Sequence, residues 1–165
     1  MSKQINTELE SDFIRMIQAN ERIIYKVCSF YVSESFLMED LYQETILNLW
    51  KAYPKFRNES SYSTWIYKIA LNSCISGMRK ESKHHHKVPL SLSEEIAFEP
   101  DSMEEDIREL YGLIHQLKTL ERAIILLWLE EKPYQEIAEI TGLSISNVAT
   151  KLKRTKEKLK TMSNQ

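Results

Sequence analysis

Glycine, proline and cysteine are scarce in this chain of 165 residues, which contains three Gly, four Pro and two Cys. A chain with so few turn-forming residues, whose apolar residues recur at steps of three and four, is typical of an all-α protein. No apolar run approaches the ~18 residues that a membrane-spanning helix needs. The residues after Met1 are unlike a signal peptide, so we expect a soluble protein in the cytoplasm.

Groups that would indicate an enzyme are also missing from the sequence. It contains no glycine-rich phosphate loop and no nucleophile with a matching base, so we expect no catalytic residue. Cys28 and Cys74 are far apart in the sequence and each lies in an apolar helical pattern, which predicts buried free thiols. Three consecutive histidines at 84–86 could indicate a metal enzyme, but they cannot share one face of a helix or strand. We expect no metal and no cofactor.

Charge is segregated along the chain, although the net charge is only −2. Residues 51–80 contain six Lys and Arg against one acid, and residues 144–165 have the same balance. Between these blocks, residues 81–111 contain nine acids against three bases. Two basic blocks separated by an acidic stretch are typical of two nucleic-acid-binding modules joined by an acidic linker.

Apolar periodicity divides the chain into two helical regions separated by residues 81–102. That segment lacks a helical pattern and contains two prolines and five acids, which predicts a flexible acidic linker. We expect two small all-α domains, residues 1–80 and residues 103–165, with a helix-turn-helix in the second. The periodicity predicts helices near residues 8–31, 34–53, 61–79, 103–118, 119–130, 133–141 and 144–162.

The helix-turn-helix is predicted over residues 133–154. Gly142 supplies the positive φ that ends its first helix, and Ser144 is a good N-cap for the second. Ile145 and Val148 continue the apolar face of that second helix, whose outer face consists of Lys, Arg, Thr, Ser and Asn. An ordinary solvated hairpin would mix charges of both signs, whereas phosphate binding needs one sign in one place. The second helix is therefore predicted to enter a DNA major groove.

Three segments in series resemble the bacterial sigma factors of RNA polymerase. They are residues 38–50 (MEDLYQETILNLW), residues 56–72 (FRNESSYSTWIYKIALN), and Leu120-Glu-Arg followed by the helix-turn-helix. The resemblance is to the small extracytoplasmic-function (ECF) group, which has two domains called regions 2 and 4. It implies a factor that binds core polymerase, directs it to the −10 and −35 promoter elements and helps to melt DNA.

The resemblance also implies three sets of binding residues. The polymerase-docking set, which would contact the coiled coil of the β′ clamp, is Asp40, Gln43, Glu44 and Asn48. The −10 set combines cations for phosphates, polar groups for base edges and rings for stacking: Lys55, Arg57, Asn58, Ser60, Ser61, Tyr62, Trp65, Lys68, Asn72, Arg79 and Lys80. The −35 set is Ser146, Asn147, Thr150 and Lys151 for base edges, and Lys153, Arg154, Lys156 and Lys158 for phosphates.

Some of these residues have structural explanations as well. Without the resemblance, Asp40 and Glu44 are a solvated acid pair one helical turn apart. Trp65 lies beside Ile66 and would more commonly be a core residue. Lys151 stands where the family often has Arg, and Lys lacks the planar fork that binds guanine in a bidentate manner. The preference for the −35 element is therefore expected to be different or looser.

The partners implied by the resemblance are the β′ clamp and β flap of core polymerase, promoter DNA, and an anti-sigma factor, which in this family is often membrane-bound. The alternative is a stand-alone regulator that uses only the helix-turn-helix. Such a regulator would bind duplex DNA tightly without polymerase, whereas a sigma factor is expected to bind poorly alone.

Overall fold

The computed structural model describes residues 2–81 and 104–165. Within these two segments the protein is helical and contains no strand, so the prediction of an all-α fold is confirmed. The predicted acidic linker and the histidines at 84–86 lie outside the described residues. The helices are α1 (Ser2–Ser29), α2 (Met38–Ala52), a short 3₁₀ helix (Tyr53–Lys55), α3 (Tyr62–Glu81), α4 (Glu105–His115), α5 (Thr119–Leu129), α6 (Tyr134–Thr141) and α7 (Ile145–Ser163). None of these described helices combines the length and apolar character that crossing a membrane requires.

Helices α1, α2 and α3 pack together through their apolar faces, which were largely visible in the sequence. Phe13, Ile24 and Leu41 are buried as the periodicity predicts. The predicted starts of two helices were wrong, because α1 begins at Ser2 and α2 at Met38. Ahead of α2, the N–H of Ser33 donates to the carbonyl oxygen of Phe36 at 3.0 Å, and this turn replaces the first predicted turn of helix.

The two cysteines meet in the core of this bundle, which their separation in sequence did not reveal. Cys28 of α1 and Cys74 of α3 are both fully buried and are free, as predicted. The Cys28 Sγ lies 3.8 Å from the Oγ1 of buried Thr45. Hydrogen bonding to Cys28 and burial raise the pKa of Cys74, so this thiol remains a neutral core group.

Helices α4 to α7 form a second unit, in which α5 is the central helix. The buried residues of α5 run without a polar interruption from Ala123 to Leu127. Such a helix needs neighbours on several sides, and it packs against α4, α6 and α7. Gly142 ends α6 with φ of 76°, and the Ser144 Oγ accepts a hydrogen bond from the N–H of Asn147 at 3.1 Å. The predicted turn and cap of the helix-turn-helix are therefore confirmed.

Arg122 of α5 connects the two units through its buried guanidinium group. Its Nη1 donates to the carbonyl oxygen of Phe30 at 3.0 Å. Its Nη2 donates to the carbonyl oxygens of His115 at 2.8 Å and Leu117 at 2.9 Å. The guanidinium carbon also lies 5.2 Å from the centre of the Tyr31 ring. Burial lowers the pKa of Arg122, but a guanidinium stays charged in proteins.

Two aromatic residues just after α1 complete this contact. The hydroxyl of Tyr31 donates to the carbonyl oxygen of Thr119 at 2.9 Å. The Phe30 ring meets the Tyr111 ring edge-on, with 5.2 Å between the ring centres. Burial raises the pKa of Tyr31, so it remains a neutral donor. The end of α1 is thus packed into the second unit.

The glycines provide a matched test of the helix-turn-helix geometry. A Cβ added at Gly142 would meet no atom within 4 Å, so the cost of Gly142→Ala comes from its φ of +76° alone. We expect a loss of about 1–2 kcal/mol in the free energy of unfolding, measured by urea denaturation. Gly112→Ala is the control, because it also adds a Cβ in open space but within helix α4. It should stabilise the protein by up to about 1 kcal/mol. Effects of the same sign at both sites would contradict this assignment.

Candidate polymerase and nucleic-acid interfaces

The polymerase-docking set lies along one side of α2. Asp40, Gln43 and Glu44 are exposed, and Asn48 is half-buried with its Nδ2 donating to the Ser73 Oγ at 2.9 Å. A groove of about 650 Å³ runs between α2 and α3 along this side. Its lining includes Asp40, Glu44, Asn48, Asn72, Ser73 and Ser76. Asn72, which the sequence assigned to the −10 set, therefore belongs to the same acidic, amide-rich groove.

An aromatic cluster lies where the loop after the 3₁₀ helix enters α3. The rings of Phe56 and Tyr62 stack with 4.9 Å between centres and 28° between planes. Trp65 is half-buried. The centre of its ring lies 4.8 Å from that of Phe56 and 6.3 Å from that of Tyr53. Tyr62 is 41% exposed, so it can still offer a face for stacking, whereas Trp65 mainly supports the cluster. Sequence reasoning overlooked Phe56, although it stands within the quoted segment.

The polar loop beside this cluster forms a smaller cavity of about 390 Å³. Its lining combines cations, small polar groups and rings: Lys55, Phe56, Arg57, Glu59, Ser60, Thr64, Trp65, Lys68 and Glu139. Glu139 comes from α6 and is the contribution of the second unit. Five of the eleven predicted −10 residues thus line one hollow: Lys55, Arg57, Ser60, Trp65 and Lys68.

Two other members of the −10 set have roles in the backbone. Asn58 has φ of 58°, a left-handed conformation that Asn tolerates better than most residues. The Ser61 Oγ accepts the N–H of Thr64 at 3.2 Å and so caps the start of α3. Both residues shape the loop that holds the cavity. The side chains of Arg79 and Lys80 lie outside the described residues, so their assignment stays a prediction.

The −35 set lies on the exposed face of α7. Ser146, Asn147, Thr150 and Lys151 are all exposed, and the Thr150 hydroxyl donates to the carbonyl oxygen of Ser146 at 3.1 Å. Ile145 was expected on the apolar face but is 52% exposed, because it is the first residue of the helix. An exposed apolar side chain there can contact a thymine methyl group. Ile145 is therefore an additional candidate for base contact.

The cations on α7 differ in their surroundings. The Lys156 Nζ lies 4.0 Å from the centre of the Trp128 ring. The Lys158 Nζ pairs with the Glu121 Oε2 at 3.1 Å. Lys153 and Arg154 are exposed on the same helix. A phosphate can reach these two without displacing a cation–π contact or an ion pair found among the described residues.

The Leu120-Glu-Arg segment has a clear structural role. The Glu121 carboxylate accepts the N–H of Lys118 at 3.1 Å and so satisfies a donor at the start of α5. Burial opposes its ionisation, but the Lys118 N–H and the Lys158 ammonium outweigh burial and lower the pKa of Glu121. Arg122 beside it joins the two units. Glu121 and Arg122 therefore position α5.

The sequence matches two family regions, one over each helical unit. Residues 16–84 match Sigma-70 region 2, and residues 107–159 match Sigma-70 region 4. RNA polymerase sigma factor YlaC of Bacillus subtilis (strain 168) is 30% identical over 130 residues, covering 74% of this chain and 75% of that protein. The chain belongs to the sigma-70 family. The family consists of non-catalytic transcription initiation factors, and the two helical units are its regions 2 and 4.

Other relatives agree in family and differ in extent. RNA polymerase sigma factor SigV of Bacillus subtilis (strain 168) is 27% identical over 144 residues, covering 86% of this chain and 84% of that protein. ECF RNA polymerase sigma factor SigG of Mycobacterium tuberculosis (strain CDC 1551 / Oshkosh) is 33% identical over 85 residues. That match covers 52% of this sigma factor and 22% of SigG, so it spans about a fifth of the length of that relative.

Two solved structures share the fold. The sigma factor RpoE from Bartonella quintana, solved with the anti-sigma factor NepR, superposes with a TM-score of 0.68 at 19% identity. The match covers 95% of this sigma factor and 97% of that chain. CnrH, solved with the cytosolic domain of CnrY, gives a TM-score of 0.63 at 18% identity and covers 94% and 89% of the two chains. At these identities the likeness concerns the fold alone.

The carboxylate of Glu121 generates a prediction about pH. Its pKa is lower in the folded protein than in the unfolded chain, so the stabilisation is present above the unfolded pKa and is lost as the pH falls through the folded one. Glu121→Gln should therefore lower the free energy of unfolding at pH 7 by about 0.5–1 kcal/mol and much less at pH 3. Urea denaturation at both pH values measures this difference. Glu157→Gln removes an exposed acid of α7 and is the control for the loss of one carboxylate. The same pH profile for both variants would refute the role of Glu121.

Proposed function

We propose that this sigma factor acts in the cytoplasm as an ECF-type initiation factor that binds core RNA polymerase and directs it to promoters. The supporting observation is that one chain holds an acidic groove on α2 and two separate basic surfaces, one around the loop before α3 and one on α7. A stand-alone regulator would need only the second basic surface. Three surfaces of these chemistries are what a factor between polymerase and two promoter elements requires.

The surface of region 2 fits the −10 element in its melted form. Lys55, Arg57 and Lys68 can hold the phosphates of a single strand, and Tyr62 can stack on a base. The cavity of about 390 Å³ beside them is lined with polar groups and can receive an unstacked base. Each such contact favours the open strand over the duplex and so promotes melting by binding energy.

The surface of region 4 fits the −35 element as duplex. In a helix-turn-helix the second helix lies in the major groove with its first residues against base edges. In α7 these are Ser146, Asn147, Thr150 and Lys151, with Ile145 for a thymine methyl group. Lys153 and Arg154 are suited to phosphates, and Lys156 and Lys158 can join them after leaving Trp128 and Glu121.

The groove on α2 fits a basic partner. Its exposed Asp40 and Glu44 would attract cations of the β′ clamp coiled coil, and its amides supply additional hydrogen-bonding groups. Leu47, which is 44% exposed on the same helix, can add apolar contact area. Region 4 is the counterpart that would contact the β flap.

An anti-sigma factor is the remaining partner that we infer. The sigma factor RpoE was solved in complex with the anti-sigma factor NepR, and CnrH was solved with the cytosolic domain of CnrY. Among the described residues of region 4, six large apolar or aromatic side chains are more than a third exposed: Ile107, Leu110, Trp128, Leu129, Tyr134 and Ile145. Apolar residues that are exposed in this way can bind a partner protein.

The polymerase-docking role is tested by reversing one charge in the groove. Asp40→Lys should weaken binding to purified core polymerase about tenfold or more and reduce transcription in proportion, because it places a cation opposite the basic clamp. Glu10→Lys, at an exposed position of α1, makes the same charge change elsewhere and should leave affinity unchanged. Fluorescence anisotropy with labelled sigma factor measures affinity.

If the protein shifts duplex DNA by itself but never yields transcripts with core polymerase from genomic fragments, the stand-alone alternative is correct.

The division of roles on α7 is tested with two lysine variants. Lys151→Ala should change the preferred bases within the −35 element, because this side chain is expected at base edges. Lys153→Ala should weaken binding evenly across sequences and reduce the salt slope by about 1, because it removes one phosphate contact. Selection of bound promoters by the holoenzyme, with affinities measured at several salt concentrations, separates the two. Identical base preferences and salt slopes would contradict the assignment.

A further inference from the structure

Two lysines in the second half of α7 are bound to helix α5 of the same region. The Lys156 Nζ lies 4.0 Å from the centre of the Trp128 ring, over its face. The Lys158 Nζ donates to the Glu121 Oε2 at 3.1 Å. Lys156 is half-buried, and the side chains of Lys158 and Glu121 are 42% and 27% exposed. Both lysines therefore already have a partner within region 4.

The two lysines lie on opposite flanks of the buried face of α7. Val148, Leu152 and Thr155 are buried and mark the centre line of that face. An α-helix turns by about 100° per residue, which displaces Lys156 and Lys158 from this line by about 80° in opposite directions. A cation thus holds α7 on each side of its apolar contact.

The partners of the two lysines are well separated along α5. Glu121 is in the first turn of α5 and Trp128 is in its last turn, a separation of about 10 Å along the helix axis. The apolar contact through Val148 and Leu152 is non-directional, so it resists sliding and rotation of α7 only weakly. Two polar contacts at separated points restrict both the crossing angle of α7 on α5 and its rotation about its own axis.

The rotation of α7 decides which of its side chains reach base edges. Thr150 and Lys151 are adjacent in sequence and therefore point about 100° apart around the helix. Hydrogen bonds to base edges need side chains held to within about 10–20° and about 0.5 Å. A phosphate contact sets the position of a protein on DNA and carries no base information directly. Looser attachment of α7 would therefore reduce discrimination between bases.

We propose that Lys156 and Lys158 are positioning residues that hold α7 on α5 while it reads the −35 element. This inference rests on the proposed function of α7 and narrows it, because phosphate binding is then left to Lys153 and Arg154. Those two side chains are exposed and lie about 130° from the buried line of α7, one on each side. They point toward DNA more directly than the two lysines on the flanks do.

The proposal is tested by removing each side of the Lys156 contact in the holoenzyme. Lys156→Met removes the ammonium group and keeps an unbranched side chain, and Trp128→Leu removes the ring. Trp128→Phe keeps a ring and is the matched control for Trp128→Leu. Lys160→Gln, at an exposed position of α7, is the control for the loss of one positive charge. Each variant is first titrated with core polymerase, so that DNA binding is compared between fully formed holoenzymes.

Two quantities are measured for each variant. One is the discrimination ratio, which is the Kd for a promoter with one base of the selected −35 element changed, divided by the Kd for the unchanged promoter. The other is the salt slope of promoter binding, which reports the number of phosphate contacts. Because the ratio depends on base contacts and the slope on phosphate contacts, the two quantities separate positioning from phosphate binding.

Lys156→Met and Trp128→Leu should each lower the discrimination ratio about threefold or more, because several base contacts weaken together. The double variant should lose no more than either single variant, since both changes break one contact. The salt slope of Trp128→Leu should equal that of the wild type, and Lys156→Met should lower it by much less than about 1. Trp128→Phe and Lys160→Gln should keep the wild-type discrimination ratio.

Lys158→Met tests the second contact in the same way. It should also lower the discrimination ratio without a fall of about 1 in the salt slope. Combined with Lys156→Met it should lower the ratio further, because the two contacts hold α7 at different points. A wild-type ratio for Lys158→Met would show that this lysine does not position α7.

The opposite assignment, in which Lys156 binds a phosphate, gives contrary results. Trp128→Leu would then release Lys156 and leave promoter binding unchanged or tighter, and Lys156→Met would weaken binding evenly and lower the slope by about 1. Either result overturns the proposal, as would additive losses in the Trp128→Leu/Lys156→Met double variant. Failure of the proposed function is distinguishable, because the wild-type holoenzyme itself would then show no preference for a −35 element.

Discussion

The burial of one positive charge constrains the arrangement of both regions. Among the described residues, Arg122 is the only charged side chain in the buried class. A buried charge is costly unless polar groups surround it, and here the carbonyl oxygens come from the end of α1 and the connection between α4 and α5. Those segments must therefore stay together for the charge to be satisfied. This requirement fixes the position of α5 relative to region 2, and the helix-turn-helix is held in place with α5.

Charge segregation gives the same molecule two competing uses for its basic surfaces. Cations of this chain also suit its own carboxylates: Lys158 of the −35 set pairs with Glu121 of the same region, and Lys26 of α1 pairs with Glu130 of the other region. In water such pairs are weak, so neither use excludes the other permanently.

Local features of the fold could be predicted because their causes are local. The turn at Gly142 and the cap at Ser144 depend on residues within one helical turn, and both were confirmed. Errors arose where a neighbour decided the outcome. Ile145 fits an apolar helical pattern but is exposed, and α2 starts late because the Ser33 turn precedes it. Periodicity indicates which face of a helix can be buried. It does not indicate how far the neighbouring helices extend along that face.

The sequence alone determined the helical class, the order of the two regions, the capped helix-turn-helix and the sign of charge on each surface, because all of these are written in spacing and composition. Tertiary structure alone decided which side chains meet. It paired Cys28 with Cys74, and it brought Thr64 to Glu136 across 72 positions of the sequence. It also joined Phe30 to Arg122, 92 positions away. Such pairings depend on how whole helices pack, and no local pattern encodes them.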